Sequence, residues 1–250
     1  MKTFSNILNP VVAFFTTEED ADKFLAIRNS KRKLPTIIKI TDINRLRSFE
    51  TVEDVESLFN KPYYPKYLPN TWDASYSCAM NAKYEFVNWA SEINPYKTRY
   101  IAWLDIGLFR ELVKINKSLC LGLPDDFDEC KVSYGVVHQA QMFDNKKIFY
   151  HNLVWVAGGY FIANREIMKN WSQFYMEATG HLLAQGLSNT DQQVVYAIRN
   201  TLYKYNKTIP IKEHFWDGYR YNPWFFLAFK SRKDPGKCTI KNILNKAIVN

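Results

Sequence analysis

The chain has 250 residues, 47% apolar and 16% aromatic, and a net charge of +8. That apolar content excludes a disordered chain, and a chain of this length buries a full core without staples. The positive charge asks for an anionic partner, whether nucleic acid, a membrane surface or a phosphorylated small molecule. No apolar run approaches the roughly 18 residues that a membrane-spanning helix needs, and Val11–Phe15 is too short for a secretory signal core. Cys78, Cys120, Cys130 and Cys238 have no CxxC spacing. They fit neither a zinc site nor a short disulfide framework, so a reducing, cytoplasmic setting is expected.

Short β-rich runs alternate with helical patterns, which predicts an α/β domain with a mixed, mostly parallel central sheet flanked by helices. Val11–Phe15 reads as a buried strand ending at Thr16. Thr17, followed by Glu18-Glu19-Asp20, is a good helix start, because its hydroxyl and the carboxylates favour the free N–H groups there. That helix should run to about Ser30, with a second strand over residues 36–40. Three prolines between residues 61 and 69 forbid regular structure and predict a long aromatic loop. A helix is expected over 76–92, then the strongest strand, 100–104, ending in Asp105-Ile106-Gly107. Strands follow over 132–137 and 154–163, helices over 165–184 and 190–203, and a short strand over 208–211. Gly158-Gly159, inside a strand pattern, marks close approach of something to the backbone.

Several residues are candidates for chemistry. Asp105 lies where a buried strand reaches the open end of the sheet. Ligands bind there in open α/β sheets, and a carboxylate there holds a divalent cation or merely caps the following turn. Lys83 and Arg110 are either phosphate ligands or solvated surface cations. Asp191-Gln192 opens a helix, as a site residue pair or as part of a cap. His214, placed in an aromatic loop beyond the last strand, is a metal ligand, an acid or base, or a structural histidine. There is no P-loop, GxGxxG, HExxH or GxSxG motif.

In this order the signals are recognisable. Tyr76-Ser77-Cys78-Ala79-Met80-Asn81-Ala82-Lys83-Tyr84-Glu85-Phe86-Val87, Asn94-Pro95-Tyr96 and Tyr100-Ile101-Ala102-Trp103-Leu104-Asp105-Ile106-Gly107-Leu108-Phe109-Arg110 resemble the HtrL/YibB (WlaTC) family. The likeness continues through Val156–Phe161 and Asp191-Gln192. That family is linked to bacterial surface-polysaccharide clusters. More broadly, the order resembles the GT-A glycosyltransferase fold over about residues 1–230, with 231–250 as a basic tail or helix.

The resemblance implies a glycosyltransferase that moves a sugar from a nucleotide-sugar, UDP favoured over other nucleotides, to a glycan or polysaccharide-type acceptor, with retention weakly favoured. Asp191 and Gln192 would be catalytic. Thr16, Lys83, Asp105, Arg110, Gly158 and Gly159 would bind the donor. Asp105 and His214 would hold Mn2+ or Mg2+, although Gly107 stands where the fold's motif has its second aspartate. Tyr160, Tyr63, Tyr64 and Tyr67 would stack on the acceptor. The alternative is a catalytically inactive nucleotide- or carbohydrate-binding protein on the same fold. No nucleic-acid partner is expected, because the basic residues do not interleave with aromatics. The C-terminal lysines beside Ile240, Ile243, Leu244, Ala247 and Ile248 offer a possible peripheral membrane contact.

Overall fold

The computed structural model describes residues 2–109, 117–218 and 222–235. Arg110 and the greater part of the basic tail lie outside them. Among the described residues the strands are β1 (Val11–Phe15), β2 (Thr36–Ile40), β3 (Tyr100–Leu104), β4 (Cys120–Leu121), β5 (Val132–Val136), β6 (Val156–Asn164), β7 (Ile211–Phe215) and β8 (Arg232–Lys233). The α-helices are α1 (Glu18–Arg28), α2 (Arg47–Glu50), α3 (Val52–Phe59), α4 (Ala74–Asn81), α5 (Lys83–Ile93), α6 (Asn145–Tyr150), α7 (Arg165–Ala184), α8 (Asp191–Lys204) and α9 (Phe226–Lys230).

The central sheet is mixed, in the order β3-β6-β5-β7, but it is not mostly parallel. β3, β5 and β7 share one direction and β6 alone runs the other way. Because β6 lies between β3 and β5, one reversed strand makes two of the three ladders antiparallel. β1 and β2 form a separate parallel pair, Val11 opposite Thr36 through Phe15 opposite Ile40. β4 and β8 form a small antiparallel pair, so residues 232–233 belong to the fold rather than to a tail.

Local chemistry explains the helix ends. Thr17 accepts a hydrogen bond from the Asp20 amide, Asp73 from those of Ser75 and Tyr76, and Asn164 from that of Glu166, each satisfying orphan N–H groups. α5 ends at Asn94, which takes the left-handed conformation at φ 37° just before Pro95. The helix expected over 76–92 is two helices meeting at Ala82, so Lys83 sits in the first turn of α5. A cation is disfavoured at that end of a helix unless acids compensate it.

One face of the sheet packs Tyr134 and Phe161 against Tyr84, Trp171, Tyr175 and Val194 from α5, α7 and α8. The other face packs Tyr160 and Ile162 with Phe24, Phe109 and Leu227, and this core also carries Val11, Ala13 and Phe15 of β1. Arg28, at the end of α1, is fully buried. Its guanidinium donates to the carbonyls of Phe4 (2.6 Å), Ile7, Asn9 (2.6 Å) and Pro35 (3.5 Å), tying the N-terminal segment to β2.

The last strand of the central sheet is β7, which begins at Ile211 rather than filling 208–211. Pro210 has no amide to donate; its carbonyl accepts from Val132 just before the β5–β7 ladder begins. His214 is therefore a strand residue, opposite Gly135, and not part of a loop. Cys78 and Cys130 are free thiols, whereas Cys120 is disulfide-bonded. No helix among the described residues is long and apolar enough to cross a membrane.

Candidate functional site

The β1–β2 pair and the central sheet are not joined by a ladder. Between them lies an open cleft of about 2090 Å³, with β1 along one wall and β3 along the other. The rings of Phe14, Phe86 and Trp103 line it, Phe14 stacked on Phe86 at 4.4 Å and Phe86 near-parallel to Trp103 at 6.5 Å. Asp105, Gly107, Gly159, Lys83 and Gln192 line it beyond the carboxyl end of β3. Trp224 and Lys233 also face it.

A charged cluster sits at that end. Lys83 is 3% exposed, and its Nζ is 3.4 Å from Asp105 Oδ1 and 3.3 Å from Asp191 Oδ2. It also donates to the Gly158 carbonyl at 3.3 Å. Asp105 Oδ1 accepts a second hydrogen bond, from Trp103 Nε1 at 2.6 Å. Trp103 and Asp105 are two residues apart in extended chain and so point the same way. Asp191 is as buried as Lys83, while the Asp105 side chain keeps 38% of its surface toward the cleft. Burial works against the Lys83 ammonium, but Asp191 and Asp105 outweigh it and hold Lys83 above its ordinary value. Burial raises the Asp191 carboxyl; Lys83 pulls it down, Asp105 pushes it up, and the net direction is upward.

The two glycines make this cluster possible. A Cβ at position 158 would collide with the Asp191 carboxylate, and one at 159 would lie 2.8 Å from Leu108 Cδ1 and 3.4 Å from Asp105 Oδ2. The Asp105 amide donates to the Gly159 carbonyl at 2.9 Å, which fixes where the chain leaves β3. What approaches the backbone at Gly158-Gly159 is the protein's own pair of acids. Asp191 does not cap α8: the N-cap is Thr190, whose hydroxyl donates to Gln193 Oε1 instead. Beneath the site, Asn81 donates to the Asn189 carbonyl at 3.1 Å and accepts from Tyr175, which steadies the loop leading to Asp191.

The structure thus brings together Asp105, Asp191, Lys83, Gly158, Gly159 and Gln192. Lys83 lines the cleft floor but is buried and held by three acceptors, Asp105, Asp191 and the Gly158 carbonyl. Others lie elsewhere. Thr16 is exposed past the end of β1 and is not among the cleft-lining residues. Tyr160 and Tyr64 are buried, Tyr64 bound through its hydroxyl to the Ser188 carbonyl, and Tyr67 bonds the Tyr150 carbonyl. Of the four tyrosines expected to stack on an acceptor, Tyr63 alone is freely exposed. Arg110 lies outside the described residues.

The fit to a divalent cation is poor. His214 is on the far edge strand, three strand spacings or about 14 Å across the sheet from β3. It is 1% exposed with Nδ1 3.3 Å from Asp126 Oδ1, which also takes Lys230 at 2.7 Å, and burial pushes its imidazole down to about 4. Gly107 has open space around it and no ligand to offer. Among the described residues, no three His, Cys, Asp or Glu side chains are grouped to hold a metal. Sequence reasoning missed Trp103 as the residue that orients Asp105 and missed the aromatic wall. The i,i+2 spacing of Trp103 and Asp105 was the available signal.

The model of the HtrL/YibB family, described as bacterial protein of unknown function, matches residues 1–222. Protein HtrL of Escherichia coli (strain K12) is 29% identical over 195 residues, which span 72% of this chain and 65% of HtrL's own length, just under two thirds. No solved structure matches the chain.

Proposed function

The chain belongs to the HtrL/YibB family, and on that footing we propose that its cleft binds a nucleotide-sugar and transfers the sugar to a glycan-type acceptor. One observation carries the reading: two adjacent glycines of β6 let Asp105 and Asp191 close on Lys83 at the floor of a large cleft, beyond the carboxyl end of β3. Ligands of open α/β sheets bind in that position. The flat rings of Phe14, Phe86 and Trp103 suit a nucleobase. The sugar would then reach Gln192 and the exposed face of Asp105, with Asp191 fixed behind them by Lys83.

In the transfer, the bond between the anomeric carbon and the diphosphate oxygen breaks and a bond to the acceptor oxygen forms. The acceptor proton leaves to a carboxylate or to the departing diphosphate, whose growing charge the site must offset. Lys233 faces the cleft, paired at 2.7 Å with Asp125, whose side chain is 94% exposed. Such a surface pair is weak and readily exchanged, so Lys233 can turn to a phosphate. UDP is the favoured nucleotide and a polysaccharide-type acceptor the favoured class.

Isothermal titration with UDP and GDP, for wild type and Asp105→Ala, tests the reading. Nucleotide binding weakened by the substitution, together with hydrolysis of a UDP- or GDP-sugar, is the expected result. Absence of binding to either nucleotide sinks it. Gly107 favours the second reading, a binder without catalysis. Under that reading nucleotide binds and no donor is hydrolysed.

A further inference from the structure

Lys83 occupies the place between Asp105 and Asp191 that a metal ion would need. Its Nζ is nearly equidistant from the two carboxylates, at 3.4 and 3.3 Å, and the Gly158 carbonyl takes its third donor direction. Asp105 Oδ1, the oxygen turned toward the ammonium, is already shared with Trp103 Nε1. Asp105 Oδ2 lies against Gly159, and Asp191 Oδ2 against Gly158. We infer that the acidic site is closed to divalent cations by its own lysine, so that the protein binds its ligand without metal.

Two physical arguments carry this. A divalent ion takes oxygen ligands at about 2.0–2.6 Å and wants six or more of them, whereas here two carboxylates are neutralised in part by a cation that is 3% exposed. To admit the ion, Lys83 would have to give up both carboxylates and the Gly158 carbonyl, and an ammonium left without partners in that interior is strongly destabilising. Gly107 is the complementary half of the arrangement. It lines the cleft two residues after Asp105, has nothing within 4 Å of where a side chain would begin, and brings no side-chain oxygen.

The inference rests on the nucleotide-sugar reading for its ligand, but its first test does not. Mn2+ binding to the intact protein is followed by the electron resonance of the free ion. Tb3+ emission excited through tryptophan is the second probe, because Trp103 touches Asp105. The wild type is expected to bind neither ion at this site, and Asp105→Asn to leave both signals unchanged. Gly107→Asp adds a carboxylate in open space but leaves Lys83 between the acids, so it is expected to bind Mn2+ no better than wild type. Lys83→Met, where it folds, is expected to tighten Mn2+ binding by about tenfold or more; Gly107→Asp carries the test where it does not.

Stoichiometric Mn2+ binding by the wild type, abolished in Asp105→Asn, overturns the inference. So does a Gly107→Asp protein that takes up Mn2+ with Lys83 still in place. Nucleotide titrations with EDTA and with Mn2+ separate the two ideas. Equal affinity in both supports metal-free binding, and affinity with Mn2+ alone overturns it while the nucleotide-sugar reading stands. Failure to bind nucleotide in either condition defeats that reading and leaves the metal titration to decide this inference by itself.

Discussion

Gly158 leaves room for Asp191: a side-chain carbon on the glycine would collide with Oδ2 of the aspartate. Gly158 is buried in mid-strand and Asp191 is buried at the start of a helix, so neither backbone yields easily. Gly158→Ala is expected to push Asp191 off Lys83 and to lower stability by about 1–3 kcal/mol, the usual cost of overpacking. Thermal unfolding measures it. Gly159→Ala crowds the flexible end of Leu108 and makes ordinary contact with Asp105, so it should cost less. Equal losses for the two would show that the carboxylate can move freely.

Lys83→Met removes one partner from a buried ionic cluster and leaves Asp191 uncompensated. The expected loss is about 3–5 kcal/mol, read as a drop in the urea midpoint. Sign matters at alkaline pH. Lys83 is held above its ordinary 10.5 in the folded protein, so its contribution is complete below that value and fades as pH rises through the folded one. The variant should lack this alkaline component.

His214 acts in the opposite range. Its imidazole is pushed from 6.5 down to about 4 by burial, so between those values the unfolded chain binds a proton that the folded one refuses. Stability should therefore rise with pH across this window and fall on acidification. His214→Gln is expected to flatten that slope in chemical denaturation at pH 4.5 to 7. An unchanged slope would assign acid sensitivity to other groups.

Arg28→Lys keeps the charge but not the fork of donors that serves the carbonyls of Phe4, Ile7, Asn9 and Pro35. Lysine cannot reach them all, and each buried carbonyl left without a donor costs about 1–3 kcal/mol. A lowered melting temperature and faster amide exchange in β1 and β2 are expected. Unaltered exchange there would mean that the N-terminal segment is held by its apolar contacts alone.

Much of the fold was legible because it is written in local patterns. Val11–Phe15, Thr36–Ile40 and Tyr100–Leu104 carry unbroken strand signals, and Asn164 with Glu166 marks the start of α7. Asp105, Asp191 and the two glycines were legible as residues out of place: a carboxylate ending a buried strand and glycines within one. What they do to one another was not. That Gly158 serves Asp191, 33 positions later, is a matter of packing across the fold. The direction of β6 was likewise hidden, because strand polarity leaves no trace in alternation. His214 was misplaced through a strand that starts three residues late, at Ile211, where charged Lys212 and Glu213 masked an edge strand.

The missing ladder between β1 and β3 has a consequence for what the protein can be taught to accept. In a continuous sheet the distance between neighbouring strands is set by backbone hydrogen bonds and barely varies. Here the gap is propped open by Phe14, Phe86 and Trp103. The width of the cleft is thus set by three replaceable rings rather than by the backbone. Trimming or enlarging them would regrade the cleft while the register of both sheets stays as it is.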